Sequence, residues 1–120
     1  MRIFVACADA RLRIAMLLLM DSEPGMIVAG ITDRLPGLVA QLEAVRPDLL
    51  LLEWELSYQS IVDLLATIHH LEHPPEVIYL SSKPEEKEML LKAGVDHFVA
   101  KNAPPDELLL ILSDKRLQQP

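Results

Sequence analysis

Residues 93–108 read AGVDHFVAKNAPPDEL, and almost every position in the stretch carries a structural instruction. Gly94 follows a helical run and is placed as the residue that takes the left-handed conformation to end a helix. Phe98 to Ala100 make a short apolar run of the kind that forms a buried strand, and Lys101 ends it. Pro104 and Pro105 then suit a helix start, where a missing N–H costs nothing, and Asp106 and Glu107 complement the positive end of the helix dipole. A strand bracketed this closely by two helices is the unit of a parallel sheet built with helical crossovers.

The same alternation extends back to the N-terminus. Further strand runs are Ile3 to Ala6, Met26 to Ile31, Leu49 to Leu52 and Val77 to Leu80, apolar nearly throughout, as strands covered on both faces read. The first helix is expected to start at Asp9 as N-cap, to bury Leu12, Met16 and Leu19, and to end before Pro24 and Gly25. Leu35, Leu38, Val39, Leu42 and Val45 repeat at helical spacing in the second helix, which Pro47 stops. The third carries Ile61, Leu64, Leu65, Ile68 and Leu71 and closes before Pro74 and Pro75. The fourth begins near Pro84 and carries Met89, Leu90 and Ala93. The last turns Leu108, Leu109 and Leu112 inward and is expected to be short, with a polar tail from Ser113 to Pro120. Five β/α units of this length predict a doubly wound α/β sheet of flavodoxin-like order 2-1-3-4-5, whose ligand site lies at the carboxyl ends of the strands.

The chain has 120 residues, enough for one domain with one core, and residues 1–114 are assigned to it, with 115–120 as tail or start of a linker. Eleven Lys and Arg against eighteen Asp and Glu leave a net charge of −7, which repels a phosphate backbone and argues against direct nucleic-acid binding. Cys7 is the only cysteine, so neither an internal disulfide nor a thiolate zinc cluster is available. No apolar run approaches about 20 residues, so no membrane span is expected, and the protein is assigned to the cytoplasm.

At the predicted strand ends the sequence resembles the receiver domain of two-component response regulators, the LuxR-type (NarL-like) branch in particular, over almost its whole length. The resemblance is carried by Arg2 to Cys7, by RPDLLLL at Arg46 to Leu52, by YLSS at Tyr79 to Ser82 and by the stretch from Ala93 to Leu108. It implies an acidic pair for Mg²⁺ after the first strand, a phosphoaccepting Asp after the third, a hydroxyl after the fourth and a Lys after the fifth. Ser81 and Lys101 match the last two. Glu53 stands at the phosphoacceptor position, and Cys7 with Ala8 replaces the acidic pair. Phe98 stands at the aromatic position that, in the family, moves together with the hydroxyl residue.

These substitutions predict lost chemistry. Magnesium is a hard ion that needs carboxylate oxygens, and Cys7 and Ala8 offer none. Phosphoryl transfer without a cation leaves an anionic nucleophile facing uncompensated repulsion. The extra methylene of Glu53 moves its carboxylate by about 1.5 Å from the attacking position. It also extends the charge toward Lys101 and Ser81, where it would imitate a bound phosphoryl oxygen.

Each residue has a plainer reading. Glu53 is alternatively a solvated acid at a sheet edge, Ser81 a turn residue, Phe98 a core aromatic, and Cys7 an inert small hydrophobe. His69 and His73 share a helix face but lack a third ligand, so they are read as structural. Trp54 and Tyr58 either anchor a partner or cover the site.

The expectation is therefore a pseudo-receiver, a binding module with no metal, no cofactor and no enzymatic activity. It is expected to dimerise or bind a protein partner through the fourth helix, fifth strand and fifth helix, with Met89, Leu90, Leu110 and Ile111 as interface residues. A LuxR-type DNA-binding output domain, attached or separate, is the implied effector. The competing readings are a conventional phosphoaccepting regulator, and a small-molecule sensor using the emptied metal pocket.

Overall fold

The computed structural model describes residues 1–118. Strands β1 (Arg2–Cys7), β2 (Ile27–Thr32), β3 (Leu49–Glu53), β4 (Glu76–Ser81) and β5 (His97–Ala100) alternate with helices α1 (Ala10–Asp21), α2 (Leu38–Val45), α3 (Tyr58–His69), α4 (Lys87–Ala93) and α5 (Pro105–Gln118). All strand pairs are parallel, and the sheet order is β2-β1-β3-β4-β5, as expected.

Alternation along the strands divides the core into two layers. Phe4, Leu50, Leu52, Val77, Tyr79 and Phe98 pack with Leu38, Leu42, Ile61, Leu65 and Leu90 of α2, α3 and α4. Ile3, Val5, Leu49, Leu51, Ile78 and Val99 pack with Met16, Met20, Leu108 and Leu112 of α1 and α5. Both faces of the central strands are therefore covered, which is why those strands read as unbroken apolar runs. β2 is an edge strand, and Ile27 and Ile31 remain exposed there.

Most helix boundaries follow the predicted signals. The Asp9 carboxylate accepts from the N–H groups of Arg11 and Leu12 at 3.0 and 3.2 Å and caps α1. The Ser57 hydroxyl accepts from Ser60 N–H at 3.2 Å and caps α3, a start not among the predicted signals. Gly94 ends α4 at φ +115, in the region only glycine enters freely.

Three expectations are corrected. Leu35 lies outside α2, because Gly37 at φ +87 precedes the first helical residue, so Leu35 packs on the core from the connecting loop. The last helix is not short: it runs for 14 residues to Gln118, through the stretch read as a polar tail. Lys115, in the stretch read as tail, lies within that helix and places Nζ 2.7 Å from the Glu76 carboxylate. Leu90 is fully buried in the α2–α3–α4 layer, so it belongs to the core and not to a surface.

β1 and β2 pair with one irregularity. Ile3 pairs with Val28 and Phe4 with Gly30, so Ala29 is the extra residue of a bulge. A methyl group at Gly30 would overlap the ring of Phe4, itself only 1% exposed and unable to swing out. Gly30→Ala is expected to cost about 1–3 kcal/mol, the usual range for overpacking. It should appear as a lower urea midpoint with an unchanged slope.

Candidate functional site

The carboxyl ends of β1, β3 and β4 and the residue just after β5 converge, as the strand order requires, and bring Cys7, Glu53, Ser81 and Lys101 to one edge of the sheet. Glu53 is the last residue of β3 and is only 3% exposed. Lys101 Nζ donates to its Oε2 at 3.1 Å. The Asp9 backbone N–H and the Cys7 thiol both donate to its Oε1, at 3.0 and 3.2 Å. A buried carboxylate with both oxygens engaged is satisfied, not stranded.

Asp9 is the member of the site that sequence reasoning did not find. Its position in the sequence marks it only as a helix cap, a role it fills, but its other oxygen, Oδ2, also stands 3.7 Å from Lys101 Nζ. Lys101 therefore lies between two carboxylates. The signal was available in outline, since an N-cap directly after the first strand must sit on the ligand edge of the sheet.

Burial alone would push the Glu53 carboxyl up, but the Asp9 N–H, the Lys101 ammonium and the Cys7 thiol together outweigh it and hold the group below the ordinary carboxylate range. Partial burial likewise works against the charged form of Lys101, yet Glu53 and Asp9 raise it above the ordinary lysine value. Both groups are charged at neutral pH.

Cys7 behaves differently. Burial first, then its hydrogen bond to Glu53 and the charge on that carboxylate, push the thiol up to about 12 from 9.0. The folded chain thus holds the thiol proton more tightly than the unfolded chain. Its contribution to stability is complete below pH 9.0 and is lost progressively as pH rises toward 12. Cys7→Ala removes this dependence. Urea midpoints at pH 8 and 11 should fall less in the variant than in the wild type, groups common to both cancelling.

The Ser81 hydroxyl accepts from Lys83 N–H at 2.9 Å, the hydrogen bond of a turn, and Ser81 C=O accepts from Lys101 N–H at 2.8 Å. It thereby sets the position of Lys101 through the backbone. Phe98 is buried and stacks on Tyr79, centroids 6.4 Å apart. The Tyr79 hydroxyl donates to the Trp54 carbonyl at 2.7 Å and so ties β4 to the residue following Glu53. Ala8 is exposed, and its N–H donates to the Glu53 carbonyl at 3.3 Å. Tyr58 is 45% exposed and Trp54 packs partly on the core.

The space among Glu53, Tyr79, Ser81 and Lys101 amounts to about 10 Å³, room for a single water. A larger apolar cleft of about 260 Å³ lies between α1 and the start of α5, lined by Leu12, Met16, Val99 and Leu108.

This sheet order, with these four strand ends at one edge, is the architecture of a signalling receiver, and the family profile agrees. Residues 4–113 match the response regulator receiver domain, and the chain belongs to that family. Solved structures with the same fold include the signal receiver domain of the putative response regulator NarL from Mycobacterium tuberculosis, at 19% identity and TM-score 0.81, covering 98% of this chain and 97% of that one. A LuxR-family DNA-binding response regulator from Staphylococcus aureus is 21% identical, with TM-score 0.79 and coverage of 96% and 98%. The receiver domain of the sensor histidine kinase PA1611 from Pseudomonas aeruginosa PAO1, with a magnesium ion in its active-site cleft, is 20% identical, with TM-score 0.78 and 98% coverage of both chains. No curated protein matches. Among the described residues no helix is long and apolar enough to cross a membrane.

Proposed function

We propose that this receiver domain works by phosphorylation-independent protein contact, as a cytoplasmic, non-enzymatic module that regulates a LuxR-type DNA-binding partner or attached domain. The observation that carries this reading is the Glu53–Lys101 pair, in which the carboxylate at the phosphoacceptor position is buried and fully engaged by Lys101, Asp9 N–H and Cys7.

The residues present do not fit a magnesium centre. Magnesium demands near-octahedral oxygen coordination with one or two carboxylates free to turn toward it. Here the side chains of Cys7 and Ala8 bring no oxygen, both oxygens of Glu53 already accept hydrogen bonds, Asp9 stands 3.7 Å from the Lys101 ammonium, and the remaining carboxylates, Glu55 and Glu86, line a space of only about 10 Å³. The same pair holds one conformation of the strand ends, with a charged hydrogen bond worth about 1.5–3 kcal/mol. That is comparable to the gap of a few kcal/mol between two states of a switching protein.

Output is assigned to the face of α4, β5 and α5, as a dimer or partner contact. Met89 and Leu91 on α4 are 46% and 40% exposed, and Leu110 on α5 is 72% exposed. Ile111 is half-buried at its edge, and Leu90 is excluded by burial. The charge of −7 keeps the domain itself away from nucleic acid.

The test is a Mg²⁺ titration with and without beryllofluoride, following Trp54 fluorescence, combined with intact mass after acetyl phosphate treatment. No fluorescence change to millimolar magnesium and no added phosphoryl group are expected. A saturable change, or a gain of one phosphoryl group, would establish the conventional phosphoaccepting reading instead. Sensing of a small molecule in the former metal pocket has little support, because that space holds about one water.

A further inference from the structure

The outward face of α1 carries exposed apolar side chains. Its core side is Met16 and Met20 with Leu12 and Leu19, while Arg11, Ile14, Ala15, Leu18, Asp21 and Ser22 are all exposed. At 100° per residue these six form one continuous stripe directly opposite the buried side. Its two large side chains, Ile14 and Leu18, are 58% and 67% exposed, although a solvated helix face has no need of them.

The arrangement of the stripe is symmetric. Ile14 and Leu18 are centred on position 16, and so are Arg11 and Asp21. When two such helices cross antiparallel at that position, Ile14 of each meets Leu18 of the other, and Arg11 of each meets Asp21 of the other. One contact thus repeats itself under a two-fold axis, the condition for an isologous interface. Among the described residues neither the Arg11 guanidinium nor the Asp21 carboxylate makes an ion pair or side-chain hydrogen bond within the chain.

The helix dipole gives a second and independent reason. α1 has no acidic residue in its first turn and no basic residue in its last; instead Arg11 stands at the positive end and Asp21 at the negative end. Both charges oppose their own helix. Across an antiparallel pair each lies at the other helix's end, where its sign is favoured. A cation placed at a C-terminus and an anion at an N-terminus turn an intramolecular mismatch into an intermolecular gain.

We propose that α1 is a self-association surface, forming an antiparallel α1–α1 contact between two copies of this chain. It is separate from the α4–β5–α5 face and does not depend on the function assigned to that face. Ile31, exposed on edge strand β2 and paired with Val5 of the α1-side core layer, extends the apolar surface beside α1.

Sedimentation equilibrium of the full chain carrying Leu110→Arg, which disables the other face, tests it. That protein is expected to self-associate still. Adding Leu18→Arg should weaken association about ten-fold or more, the effect of losing a central apolar contact. Arg11→Glu and Asp21→Arg should each weaken it about five-fold, and the two together should restore it, because the swapped charges again face their opposites. The surface location of these residues leaves folding intact, which circular dichroism checks. A Leu110→Arg chain that is monomeric, or whose association ignores Leu18→Arg, would overturn the proposal and leave the face to a helix of another protein. Sensitivity to Leu18→Arg without rescue by the double charge swap would overturn the antiparallel register.

Discussion

Lys101→Ala is expected to destabilise the domain by about 3–5 kcal/mol at neutral pH, the usual loss when one partner of a buried ion pair is removed. The lower end applies, since Lys101 is one-fifth exposed whereas Glu53 is 3% exposed. The variant leaves Glu53 charged in a buried site with only Asp9 N–H and the Cys7 thiol as donors, and sets Asp9 beside it with no cation between them. Urea unfolding followed by Trp54 fluorescence measures the loss.

The pH dependence identifies its cause. In the wild type Glu53 is held below 4.5, so its stabilisation is present above that value and is lost as pH falls through the folded-state value. Without Lys101 burial dominates and raises the carboxyl. The variant then gains stability on acidification while the wild type loses it, and the gap between them should shrink markedly at pH 4. A gap of equal size at pH 4 and 7 would mean that Lys101 acts by packing, and would remove the ion pair from the account. Lys101→Ala combined with Glu53→Gln should recover part of the loss, because no unpaired charge remains.

The second large effect is a gain. Cys7→Asp, Ala8→Asp and Glu53→Asp together return the oxygen ligands that the sequence lacks, and this triple variant is expected to bind magnesium with millimolar affinity and to accept one phosphoryl group from acetyl phosphate. Shortening Glu53 matters as much as adding acids. An aspartate withdraws the carboxylate by about 1.5 Å and frees Lys101 to meet a phosphoryl oxygen. Glu53→Asp alone should stay inert, since the metal would still lack partners. Three clustered acids repel one another, so magnesium should raise the triple variant's melting temperature while leaving the wild type unchanged. A folded triple variant indifferent to magnesium would show that these three positions do not by themselves account for the lost chemistry.

Much of this was legible in the residues themselves. The stretch from Ala93 to Leu108 specified a helix end, a strand and a helix start through Gly94, Phe98 to Ala100, and Pro104 with Pro105, because each acts on its immediate backbone neighbours. The apolar runs indicated parallel strands, since strands covered on both faces carry no alternation, and the count of five β/α units indicated their order. The substitutions at Cys7, Ala8 and Glu53 were visible as residue types, which decide what donor atoms exist at the strand ends.

Other features depend on partners distant in sequence, which no local pattern encodes. Local spacing places Leu90 on a surface, whereas the packing of α4 on α3 and β5 buries it in the core. Residues from Ser113 onward were read as tail, and a helix formed there with Lys115 reaching Glu76, 39 positions away in the chain. Asp9 looked like a cap, and only the meeting of β1, β3 and β5 made it the second carboxylate on Lys101. Composition and local spacing determined the elements and the chemical inventory of the site. Tertiary structure alone decided which members of that inventory lie within about 3–4 Å of one another, the range over which charge pairing and hydrogen bonding act.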